Sequence, residues 1–150
     1  MSILVPLQRA APADRLPLLH DLRSRLAPTV RLGAQIADRA AVADLAAIAP
    51  LCDFIALAPS PLLSEGAPSP RTTAPTDWLN RLSLSQALQV ARSAPRTEPA
   101  DAPLAIGLID SDPGPTSWHP AVIAWCVQQR IDFVSCPPLR IAVAAIAAAQ

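Results

Sequence analysis

Asp110 and Asp112 stand two residues apart directly after an apolar run, Leu104 to Ile109, that reads as a β-strand. Carboxylates just beyond the C-terminal end of a parallel strand are where βα enzymes keep acid–base and metal chemistry. The same phrase, Asp-Ser-Asp-Pro-Gly-Pro, also makes an ordinary turn, and that is the reading we favour. Asp38 follows a second apolar run, where capping the next helix is favoured over holding a ligand. Ser60, Ser64 and Glu65 lie in a Pro-rich stretch better suited to docking a partner than to catalysis. Arg140, opening the last helix, could meet an anion near the strand ends, although a surface Arg is the simpler reading. Cys136 has no evident His or Arg partner, so it reads as a small buried hydrophobe rather than a reactive thiol. His20 and His119 fall on separate helices, and His119, before Pro120, is expected to be exposed.

Positioning these groups falls to five short apolar runs that alternate with five helical patterns. The runs are Ile3 to Leu7, Val30 to Ile36, Asp53 to Ala58, Leu104 to Ile109 and Ile131 to Cys136. The first helix carries Leu19, Leu22 and Leu26 on one face, with Asp14 as its expected cap. The second carries Val42, Leu45, Ala46 and Ala49. Ser83 and Gln86 form a capping box for a third, Ser117 can cap a fourth, and an Ala-rich helix follows Pro137-Pro138. A Pro-rich loop spans about 59–77. Near-continuous apolar strands, long crossovers and no hairpin signals predict an α/β chain built on a parallel sheet. No internal repeat is evident beyond this βα alternation, and residues 1–150 read as one domain.

Hydrophobic residues make up 51% of the 150 and charged ones 16%, enough apolar material for a core. The 12 basic residues, all Arg, balance 12 acidic ones and form no stripe with interleaved aromatics, which argues against nucleic acid. Three widely spaced cysteines suit reduced thiols better than a disulfide frame or zinc site. There is no basic leader and no run of about 18 apolar residues, so the expectation is a soluble cytoplasmic protein with no membrane partner.

Val134-Ser-Cys136, Pro138, Arg140 and the closing Ala-Ala-Ala-Gln150 resemble the end of the barrel domain of the phosphoenolpyruvate-utilising enzymes, the pyruvate phosphate dikinase family. The resemblance extends upstream. Ile3-Leu-Val-Pro-Leu7 is similar to the family's Val-Pro-Leu-Val phrase, and Gly33-Ala-Gln-Ile-Ala37 stands where the family has Gly-Thr-Met-Ile-Glu. Asp53-Phe54 matches an acidic-Phe pair, Ala58-Pro59-Ser60-Pro61-Leu62 the family's Gly-Thr-Asn-Asp-Leu, and Ile106 to Asp110 its Gly-Ile-Cys-Gly-Glu. The fold implied is the C-terminal five-eighths of a (βα)8 (TIM) barrel, with the first and last strands left as open edges.

In the family the Glu and Asp of those phrases hold Mg2+, and the Cys protonates the pyruvate enolate. Ala37 and Pro61 occupy the metal positions here and the Cys falls on Ile109 or on a gap, so neither the metal carboxylates nor the acid is present. The resemblance therefore implies a non-catalytic relative needing no cofactor, a module that binds or assembles through its edge strands with a second copy or another protein. The alternative is an enzyme or sensor with a rearranged site. It would bind phosphoenolpyruvate, pyruvate or a similar carboxylate through Ser60, Asp110, Asp112 and Arg140, with Mg2+ if a metal is used.

Overall fold

A computed structural model describes residues 1–58, 84–95, 103–109 and 119–149. Five strands form a single, unclosed sheet: β1 (Ser2–Pro6), β2 (Arg31–Ile36), β3 (Phe54–Leu57), β4 (Ala105–Ile109) and β5 (Phe133–Ser135). Every pairing is parallel and the spatial order is the sequence order, β1-β2-β3-β4-β5. The chain therefore steps one place in the same direction at each crossover. A doubly wound sheet reverses direction at a switch point and binds ligands there; these five strands contain no such reversal.

Between the strands lie α1 (Pro12–Arg25), α2 (Arg39–Ala43), α3 (Leu45–Ile48), α4 (Leu84–Ser93) and α5 (Pro120–Gln128), and α6 (Ile141–Ala148) follows β5. Alternate strand residues point to one face and meet these helices. Val5, Leu32, Ala34, Ile36, Ile55, Leu57, Ile106 and Leu108 share one core cluster with Leu19, Leu45, Ile48, Leu88, Val122 and Trp125. Successive crossovers in one direction, each of the usual right hand, put all helices on the same side. No residue of α6 is buried.

Local chemistry sets several boundaries differently from the sequence expectation. Pro12 takes the first turn of α1, so the helix starts two residues before Asp14, whose side chain falls inside the first turn. His119, not Ser117, is the N-cap of α5, its Nδ1 accepting from the Ala121 N–H at 3.2 Å. It is half-buried rather than exposed. Ser117 and Ser83 lie outside the described residues, as does the side chain of Gln86. Asp38 caps α2 as expected, Oδ1 accepting from the Ala41 N–H at 2.8 Å. Helix α5 ends with Arg130 in the left-handed region, φ 54°, while the Ile131 N–H reaches back to the Cys126 carbonyl.

A structural repeat underlies the sheet that the sequence did not reveal. Asp53, just ahead of β3, donates its N–H to the Leu32 carbonyl at 2.7 Å and accepts from the Leu32 N–H at 2.8 Å through Oδ2. Asp132, just ahead of β5, does the same with Ile106, at 2.7 Å in both directions. Each carboxylate extends the ladder one rung past the strand and fixes its register. The following Phe54 and Phe133 lie over Gly33 and Gly107, the residues after Leu32 and Ile106. Thus β2–β3 and β4–β5 use one Asp-Phe against one apolar-Gly, twice. Replacing Asp132 by Ala should cost about 1–2 kcal/mol, because the Ile106 N–H loses its acceptor. Urea unfolding would measure this, and Asp132→Asn should recover part of the loss.

Candidate functional site

The C-terminal ends of the strands are where a parallel βα sheet offers a site. Ile36 pairs with Leu57, Leu57 with Leu108 and Ile109 with Ser135, so the next place along β2 and β3 is held by Ala37 and Ala58. Both alanines are buried, and Ile109 is half-buried. The described row at the ends of β2 to β5 is thus Ala37, Ala58, Ile109 and Ser135. Its one polar side chain is the Ser135 hydroxyl, and it carries no carboxylate.

Among the described residues Asp38 is the nearest acid, and both its oxygens are engaged. Arg15 of α1 grips it with two parallel bonds, Nη1 to Oδ1 at 3.0 Å and Nη2 to Oδ2 at 2.8 Å, while Oδ1 also accepts the cap bond. The Arg15 side chain is only 5% exposed. Its Nε makes a long bond, 3.4 Å, to the Ala10 carbonyl. A carboxylate spent on a guanidinium and a helix N-terminus has little left to offer a cation. No group of three or more His, Cys, Asp or Glu able to hold a metal occurs among the described residues.

Ser60, Pro61, Asp110 and Asp112 lie outside the described residues. So do Ser64 and Glu65. Arg140 closes the 3-10 turn Pro138–Arg140 that leads into α6, and its side chain also lies outside them. Of the positions that the resemblance singles out, the described residues include Ala37 and Ile109. These two carry no donor for Mg2+ and no acid.

Two clefts lined by described residues open at the opposite end of the sheet. One, about 480 Å³, is walled by His20, Arg23, Ala27, Pro28 and Leu51 near the entries to β2 and β3. The other, about 470 Å³, is walled by Arg92, Leu104, Arg130 and Asp132 near the entries to β4 and β5. Three of their charged groups serve the fold: Arg23 Nη1 pairs with Asp53 at 2.8 Å, Arg92 Nη2 donates to the Arg130 carbonyl at 2.7 Å, and Asp132 holds Ile106. Sequence reasoning named neither cleft, since strand entries are brought together only by sheet register.

None of the three cysteines is in a disulfide. Cys52 and Cys126 are buried; Cys136, expected to be buried, is half-buried at the end of β5. Burial pushes the Cys126 thiol up from 9.0 to about 12, because the charged thiolate loses its water. Iodoacetamide at pH 8 should therefore label Cys136 first and leave Cys126 protected until the chain unfolds, as peptide mass spectrometry would show. The sign for stability follows from linkage. The unfolded thiol releases its proton near pH 9.0 and the folded one near 12, so the contribution is intact below 9.0 and declines as pH rises between them.

No protein-family model and no curated protein matches this chain. Among the described residues no helix is long and apolar enough to cross a membrane.

Proposed function

We infer that this chain is a non-catalytic relative of the phosphoenolpyruvate-utilising barrel, retaining part of a (βα)8 scaffold as a binding and assembly module. The observation that carries this reading is the row Ala37, Ala58, Ile109 and Ser135 at the strand ends, where a metal-assisted enolate chemistry needs carboxylates and an acid. Asp38 does not replace them, being committed to Arg15 and to the α2 cap. The unreversed order of five parallel strands supports a barrel segment over a doubly wound sheet. Three cysteines outside any disulfide suit a reducing compartment, and we assign the protein to the cytoplasm on that basis.

Isothermal titration with phosphoenolpyruvate, and with oxalate as an enolate mimic, each with and without Mg2+, tests this. All four titrations should be silent with protein shown to be folded by circular dichroism. Saturable binding strengthened by Mg2+ would overturn the reading and move attention to Ser60, Asp110, Asp112 and Arg140.

A further inference from the structure

Helix α6 is built only from Ala, Ile and Val, yet none of its residues is buried. Its sequence would suit a helix enclosed on all sides. Ile141 and Ile146 are 57% and 63% exposed, Leu139 in the preceding turn is 93% exposed, and Val127 on α5 is exposed beside them. The position of the helix explains this. In a sheet whose strands run in sequence order, the helix after each strand packs over that strand and the next one. α6 follows β5, the last strand, so it rests on α5 and overhangs an open edge.

The opposite edge has matching chemistry. β1 is uncharged along Ser2–Pro6, its Leu4 is 38% exposed, and Met1 ahead of it is almost fully exposed. The Arg31 N–H bonds the Met1 carbonyl, and the alternation of a parallel ladder then turns the Ser2 and Leu4 N–H groups outward. β5 and α6 carry no charged side chain either. Natural edge strands are usually blocked by charge; neither of these is.

We propose that a second copy of this chain covers the α6 face. Its β1 lies beside β5 and beneath α6, and a two-fold axis repeats the contact at the other edge. Parallel polarity continues across both joints, and the two sheets close into one ring with no edge left. Pairing β5 with β5 of the copy would leave both β1 edges open. The exposed apolar groups on α6 and its turn offer on the order of 500 Å², so two such contacts bury roughly 2,000 Å² in total, the range of stable homodimers. A charged or nucleic-acid partner gains little from a helix and an edge strand that carry no charged residue.

This inference rests on the assembly reading above and names its partner. The two fail separately, because ligand titration tests the first and sedimentation the second. Analytical ultracentrifugation of the full chain should give twice the 15.7 kDa monomer mass. Ile146→Glu on the α6 face should yield monomers, and so should Leu4→Pro, which removes an outward N–H while sparing the β2 ladder. Mixed in equal amounts, the two variants should associate again, since one intact α6 face then meets one intact β1 edge. Leu139→Glu and Ser2→Pro serve as a second pair if circular dichroism shows either first variant unfolded. A monomeric parent protein, a Leu4→Pro variant that stays dimeric, an open-ended polymer, or a mixture that fails to associate would each overturn the proposal.

Discussion

Asp38→Ala should lower the unfolding free energy by about 4 kcal/mol. Two losses combine. The Arg15 guanidinium, 5% exposed, would keep only a 3.4 Å bond to the Ala10 carbonyl. Removing one partner of a buried pair leaves the other charge without compensation, at about 3–5 kcal/mol, and a lost N-cap adds about 1 kcal/mol. Urea unfolding should show a lower midpoint with an unchanged slope. Asp38→Asn should fall between, because its amide oxygen can still cap α2 while the charge is gone. The double variant Arg15→Met/Asp38→Asn should regain most of the loss, since replacing both charges by packed neutral groups is often neutral or stabilising. A double variant no more stable than Asp38→Ala would show that the region depends on the ion pair for more than charge compensation.

That Asp38 is a cap was legible in the sequence, because capping is a local event: a strand ends, an Asp follows, and the third N–H onward needs an acceptor. Its partner Arg15 was not, being 23 residues away on another element. The same division runs through the fold. Five apolar runs between helical patterns are enough to predict parallel βα units, and all five strands occur within a residue or two of the expected places. Helix boundaries shifted where proline or histidine chemistry outcompeted a more familiar cap, as at Pro12 and His119. The duplicated Asp-Phe device escaped notice because its halves are meaningful only across strands. Leu32 with Asp53, and Ile106 with Asp132, are neighbours by register rather than by spacing.

The candidate site was legible mainly by subtraction. Under the proposed resemblance Ala37 stands where a carboxylate would be, and the strand register adds that Ala58 and Ile109 lie in line with it. What subtraction cannot supply is a use for the chain. The assembly proposed above draws on exposure instead: the sheet order leaves the Ala-rich last helix overhanging an edge, with none of its residues buried.

Gly107→Ala should destabilise the fold by about 2 kcal/mol, opposite in sign to the usual gain from replacing Gly inside a strand. The position needs no unusual backbone angle; what it lacks is room. A Cβ at Gly107 would fall 2.0 Å from Phe133 Cε2, and one at Gly33 would fall 2.2 Å from Phe54 Cε2 and Cζ. Each ring would have to leave its glycine. Phe54 and Phe133 also meet edge to face, with centroids 6.1 Å apart and planes at 69°, so displacing one disturbs the other. The device therefore acts as a unit across β2 to β5. Phe133→Leu removes ring atoms from the clash, so Gly107→Ala should cost distinctly less in that background, with a coupling of about 1 kcal/mol in a double-mutant cycle. Strictly additive losses would mean that Phe133 turns aside freely and that Gly107 is not there to seat it. Coupling between Gly33→Ala and Phe133→Leu, positions joined through Phe54, would show that the two halves of the repeat share one packed layer on the face of the sheet away from the described helices.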